Sequence, residues 1–182
     1  MISKSDNTGT DAVIEIVGRE KIEPFAGRNR PLLTTHDLYT FKSTLNHDLL
    51  ARWRAGTEFE RRALLAAIAA MPVPTEGFLN VPYALDLEWF FSSRELCGLI
   101  ERVADLPAMG IESPLAPKED WARVAYKGGS EPGVIAMTTR VQAADGRTYC
   151  VSATWNNDQT VVDPPALAAI QMRLFKALKS RS

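Results

Sequence analysis

The apolar and polar positions of this chain follow two different rhythms. In the front part, hydrophobic residues recur every three or four positions, as on one face of a helix; towards the back they alternate, as in a strand. Ala12, Val13, Ile16 and Val17 set a short first helix over 10–17, closed by Gly18, a residue suited to a left-handed C-terminal cap. From 19 to 33 periodicity disappears among Pro, Gly and Arg, which predicts a loop. Thr34 with Asp37 has the form of a capping box, and Leu38, Phe41, Leu45, Leu49 and Trp53 then draw one stripe along a second helix ending near Gly56. Thr57 with Glu60 starts a third helix whose inward face would be Phe59, Ala63, Leu64, Ala67 and Ile68, before Pro72 and Pro74 stop it. Residues 75–91 give mixed signals and are read as a loop with room for an extended piece. Ser92 with Glu95 caps a fourth helix through Leu96, Leu99, Ile100 and Val103.

The stretches 121–126, 134–141 and 148–155 are rich in β-branched and aromatic residues, and Asp145-Gly146 marks a hairpin between the last two. Asp163-Pro164-Pro165 begins a closing helix with Leu167, Ile170, Leu174, Phe175 and Leu178 as its core face. Helices lead, strands follow, and a last helix is placed to cover the sheet. The expected fold class is therefore α+β, with an antiparallel three-stranded sheet. A single domain over 1–182 is expected, mainly helical over 1–110, with the sheet and the final helix over 111–182.

Charge is balanced, 21 Lys plus Arg against 22 Asp plus Glu, so no strong field gathers nucleic acid or an anionic membrane. Neither is expected as a partner. No apolar run reaches the length of a membrane span, and the start lacks a signal-peptide pattern, so location is left unassigned. Cys97 and Cys150, each within an apolar run, read as small buried thiols rather than a disulfide framework. His36 and His47 would lie about 16 Å apart along one helix, too far to share a metal, and read as surface or capping residues. No metal or organic cofactor is expected. Trp89-Phe90-Phe91 reads as core packing ahead of the fourth helix.

Candidate chemistry gathers at two places. In the run ending at Lys127, a cation at a strand end is followed by Gly128, Gly129 and Ser130, where backbone without Cβ atoms can present N–H groups beside the charge to an anion. Read alone, the glycines are ordinary punctuation between strands. Near the front, Ser5-Asp6-Asn7 precedes the first helix. A Ser-Asp-Asn before a helix and a later Lys-x-Gly on a strand resemble two of the three signatures of the penicillin-recognising serine hydrolases, most closely the class A β-lactamase-like proteins. The resemblance runs through SDNTGTDAVIEIVG, the helix from Ser92, KGGSEPG, GRTYCVSATWNN and the final helix; residues 28–87 match poorly.

The resemblance implies a β-lactamase/transpeptidase-like fold with five strands, of which three are present here. The third signature, Ser-x-x-Lys, carries the nucleophile and precedes Ser-Asp-Asn in such proteins, and no Ser or Thr of this chain has Lys three residues later. The expectation is an N-terminally incomplete domain that is inactive by itself and either lacks an upstream segment or self-associates. Ser5 would pass a proton towards the leaving nitrogen and Asn7 would bind the side-chain amide of a β-lactam-like or acyl-amide substrate. Asp6 would hold the loop, Lys127 would attract the substrate carboxylate, and the Ser130 N–H would be one oxyanion donor. Gly129 would line the substrate site. Gly128 stands where the family carries Thr or Ser, a hydroxyl that Ser130 could replace.

No Glu-x-x-Leu-Asn deacylation segment occurs, and Glu76 and Glu88, the nearest glutamates by region, read as solvated loop carboxylates. The implied function is acyl-enzyme hydrolysis of a β-lactam or related amide or ester. The first alternative is a non-catalytic or penicillin-binding, esterase-like relative that holds an acyl-amide or peptidoglycan-like ligand. A second is a helical interaction module built on 34–71.

Overall fold

A computed structural model describes residues 1–180 and gives an α+β protein that divides into two compact units, Asp6–Phe90 and Met1–Ser5 with Phe91–Ser182. The chain passes from one to the other at Ser5/Asp6 and again at Phe90/Phe91.

The unit 6–90 is helical: α1 (Asn7–Val17), α2 (Arg19–Ile22), α3 (Thr35–Lys42), α4 (His47–Ala55) and α5 (Glu58–Ile68). Asp6 is the N-cap of α1, its carboxylate accepting from Gly9 N–H at 3.0 Å, so the helix starts three residues earlier than the apolar spacing predicts. Both capping boxes form, Thr34 with Asp37 on α3 and Thr57 with Glu60 on α5. The core is Leu38 and Phe41 from α3, Leu50 and Trp53 from α4, and Leu64, Leu65 and Ile68 from α5, with Leu33 and Leu87. Each such side chain contributes on the order of 2 kcal/mol on leaving water.

Several expectations are corrected in this unit. The stretch 19–33, expected as a loop, begins with α2 and a 3-10 turn at Glu23–Phe25. Trp89 and Phe90, expected in the core, stay 38% and 46% exposed, with Trp89 Nε1 donating to Leu33 O and the Phe90 N–H to Asn29. The single helix over 34–56 is two, because Ser43 leaves the helical conformation and its hydroxyl donates to Glu76 O at 3.0 Å while Thr44 N–H donates to Gly77 O at 2.8 Å. Gly77 fits there at φ 82°, a left-handed conformation that a side chain would strain. The break turns Leu45 out to solvent and puts His36 and His47 on separate helices; His36 Nε2 lies 2.8 Å from Met71 O. On α5, Phe59 is 82% exposed and Ala63 and Ala67 face outward, so the buried stripe is Leu64, Leu65 and Ile68. Residues 75–91 contain a 3-10 turn, Leu85–Leu87, rather than an extended piece, and Glu88 is not a solvated carboxylate: it pairs with the buried Lys42.

The other unit holds α6 (Ser93–Val103), β1 (Arg123–Glu131), β2 (Val134–Gln142), β3 (Thr148–Asn156) and α7 (Pro164–Lys179), with a 3-10 turn at Ile2–Lys4. The antiparallel sheet has the order β1-β2-β3. Ser92 and Glu95 form the capping box expected for α6, and Asp163 caps α7 by accepting from Ala166 N–H. Gly146, at φ 89°, turns the β2–β3 hairpin where Asp145-Gly146 predicts it. On one sheet face Leu167 and Phe175 of α7 pack with Trp121, Val124, Met137 and Val141. The buried stripe of α7 is Leu167, Gln171 and Phe175, whereas Ile170 and Leu174, expected in the core, are each 47% exposed. Gln171 takes a core position by donating to Met137 O at 2.9 Å.

The opposite face carries α6. Ile100 and Ala104 pack with Met109 and Ala125, Arg140 forms a paired contact with Glu101 at 2.7 and 3.0 Å, and Cys97 is joined to Cys150. That disulfide corrects the reading of two separate buried thiols. It ties α6 to β3 across 53 residues, a pairing that local sequence context does not contain.

Candidate functional site

The glycines after Lys127 do not form a loop. Lys127, Gly128, Gly129 and Ser130 all lie within β1, paired in order with Thr138, Met137, Ala136 and Ile135 of β2. The turn is Pro132-Gly133, with Gly133 at φ 87° supplying the conformation that the Gly-Gly pair was expected to supply.

Side-chain alternation then sorts the residues by face. Ala125, Arg140 and Cys150 are cross-strand neighbours on the α6 face, so two residues further along, Lys127, Thr138 and Ser152 share that face. The Thr138 and Ser152 hydroxyls lie 2.8 Å apart. Tyr126, Gly128 and Ser130 point to the α7 face. Ser130 is thus on the same face as Gly128, about 7 Å further along the strand, and on the opposite face from Lys127.

Ser5 reaches this place from the first residues of the chain. Ile2 packs against the cluster of Ile100, Ala104, Met109 and Ala125, and Lys4 pairs with Glu112 at 2.7 Å. The 3-10 turn Ile2–Lys4 ends with Ser5 at φ 52°, ψ 42°, left-handed backbone unusual for a residue with a side chain. Its hydroxyl accepts from Lys127 Nζ at 2.7 Å, across 122 positions of sequence.

The Lys127 ammonium also donates to Gly128 O, and among the described residues no carboxylate forms an ion pair with it. An ammonium has three N–H donors, so one remains for an incoming acceptor, and the Ser5 hydroxyl keeps its own proton to donate. Half-burial lowers the proton affinity of Lys127 below that of an ordinary lysine, because desolvation disfavours the charged form. Burial likewise raises the pKa of the Tyr126 phenol. The geometry therefore offers an unneutralised, partly desolvated cation and an adjacent hydroxyl to an anionic group.

Asp6 and Asn7 lie in the unit 6–90, Asp6 as the cap of α1 and Asn7 as its exposed first residue. Gly129 lies opposite Ala136, with open space where its side chain would be. At Gly128 a Cβ would run into the Tyr126 hydroxyl, so a Thr or Ser there, as in the resembling family, would have to displace the phenol. Sequence reading missed Thr138, Ser152 and Tyr126 as neighbours. Cross-strand register brings the first two beside Lys127, and the i, i+2 spacing of Tyr126 and Gly128 is the one signal the sequence carried.

No protein-family model matches the chain, and no curated protein matches it. Among the described residues no helix is long and apolar enough to cross a membrane.

Proposed function

We propose that the unit carrying Ser5 and Lys127 is of the serine β-lactamase-like type and binds the carboxylate of a β-lactam-like or acyl-amide ligand. Lys127 attracts the carboxylate; where a separate nucleophile accepted the acyl group, Ser5 would relay the proton released by that nucleophile to the departing nitrogen. The observation that carries this reading is the 2.7 Å approach of Lys127 Nζ to Ser5 Oγ, which joins a cation and a hydroxyl 122 positions apart in one hydrogen bond. No Ser-x-x-Lys occurs in these residues, so the acyl acceptor is not assigned, and the 182-residue chain by itself is expected to bind without turnover.

A second reading, a non-catalytic binder of a peptidoglycan-like ligand, is favoured by Gly128. That position carries no hydroxyl, and a side chain there would point to the α7 face, away from Lys127.

Nitrocefin hydrolysis and labelling by a fluorescent penicillin, with the ligand-binding affinity of the chain measured in parallel, test both. Saturable binding of a penicillin that Lys127→Ala removes supports the site. Binding unaffected by both Lys127→Ala and Ser5→Ala refutes it. Binding without hydrolysis, in a longer protein that supplies Ser-x-x-Lys, selects the second reading.

A further inference from the structure

The sheet has two edges, and they are protected differently. An edge strand presents unpaired N–H and C=O groups, which proteins guard with charged side chains, proline or bulges. β1 carries Arg123, Lys127 and Glu131, and the 3-10 turn Pro107–Gly110 packs against it. β3 has no charge, no proline and no glycine, and it pairs with β2 residue by residue without a bulge. Among the described residues no backbone hydrogen bond from another segment reaches β3 on the side away from β2. None of its residues is fully buried, whereas those of the central β2 mostly are.

The apolar surface continues from this edge onto α7, whose nearest strand is β3. Gln171 reaches inwards to Met137 O of β2, and Lys179 reaches Asp120 O ahead of β1. The flank of α7 that carries Ile170 and Leu174 is therefore turned the other way, beyond β3. Both side chains are 47% exposed, and Trp155, on the α7 face at the end of β3, is 39% exposed. The result is an open wall made of one strand and one helix flank.

We propose that this wall joins two copies of the chain, their β3 strands pairing antiparallel about a two-fold axis at Ser152 so that the two sheets become one. Ser152 is the middle of the strand, so this register alone pairs every residue of Thr148–Asn156. On the α7 face it sets Val151 opposite Ala153 and Tyr149 opposite Trp155 of the second copy, an aromatic cross-strand pair that the symmetry makes twice. No charged residue lies in the paired stretch, so no like charges meet. The helix flank selects a second copy over a lone extended peptide, because only a strand with its own helix beside it also covers Ile170 and Leu174. The wall is about 30 Å long and about 20 Å high, a sheet layer and a helix layer, so each copy covers on the order of 600 Å². That is the lower end of stable interfaces and corresponds to a dimer that dissociates at micromolar concentration.

The test is sedimentation velocity of the full chain across the micromolar range, with amide exchange mass spectrometry at the same concentrations. A monomer–dimer equilibrium is expected, in which residues 148–156 gain protection on dimerisation and β1 keeps its rates. Trp155→Lys places a charge against Tyr149 of the second copy and is expected to weaken the dimer about tenfold or more. Ile170→Glu does the same from the helix flank without altering the strand, so the measurement survives if one variant fails to fold. A monomer throughout the range, a dimer in which 148–156 exchanges as in the monomer, or a dimer that the folded variants leave unchanged overturns the proposal.

Discussion

At Lys127 two demands on one side chain oppose each other. Binding an anion requires the ammonium to be charged, while half-burial makes the charge costly and lowers its pKa. If this site binds a carboxylate, affinity declines as pH rises through a value below 10.5, the ordinary lysine value; titrating penicillin binding against pH checks the sign. Lys127→Ala is expected to reduce affinity about tenfold to a hundredfold, the loss typical of a charge-assisted hydrogen bond, while thermal unfolding shows that the fold persists. Gly128 gives a second prediction. Gly128→Thr forces a side chain against the Tyr126 hydroxyl and should cost about 1–3 kcal/mol in denaturant unfolding, with a smaller loss in a Tyr126→Phe background. Lys127 was legible as an anion-binding candidate from its type and neighbours. Its partner hydroxyls at Thr138 and Ser152 were not, because only strand register makes them adjacent.

Among the elements, the features legible in sequence are those whose causes are local. The Thr34/Asp37, Thr57/Glu60 and Ser92/Glu95 boxes each place donor and acceptor three residues apart, and all form. The interruption at Ser43 was not legible, because its hydrogen-bond partners are Glu76 and Gly77, more than thirty positions away. The Cys97–Cys150 bridge is equally non-local. In the chain-entropy account a loop of this length is worth about 4 kcal/mol, so Cys97→Ser with Cys150→Ser should lose roughly 2–4 kcal/mol in denaturant titration.

Glu23 supplies an acid-sensitive contact in the helical unit. Desolvation works to raise its pKa, but hydrogen bonds from Arg62 and Leu32 N–H outweigh that, and the carboxyl titrates below 4.5. The folded state thus holds this proton less tightly than the unfolded chain. The stability it contributes is present above the unfolded value and is lost as pH falls through the folded one. Glu23→Gln should flatten that acid limb in a pH series of unfolding midpoints.

On the scale of the whole molecule, the α+β class and the three antiparallel strands followed from rhythm alone, since helical and alternating periods occupy separate stretches. The division into units did not. Nothing in the composition of residues 1–5 indicates that they join a unit whose remaining residues begin at Phe91. Because both cysteines lie in that unit, reduction should raise amide hydrogen exchange in α6 and β3 and leave α3 to α5 at their former rates, a contrast that exchange mass spectrometry reads directly. Equal acceleration in both would mean that the bridge stabilises the chain as one cooperative body.

The backbone of Ser5 has a further consequence. A glycine there would relax the left-handed dihedrals and gain up to about 1 kcal/mol, less what its greater freedom in the unfolded chain takes back, but would also lose the hydrogen bond that the half-buried Lys127 ammonium gives the hydroxyl, worth about 1.5–3 kcal/mol. Selection for durability alone would therefore drift towards glycine at this position only in a chain that has also lost the ammonium. A serine retained in a Lys127→Ala lineage evolved under heat stress would indicate that the hydroxyl is being kept for something other than holding the protein together.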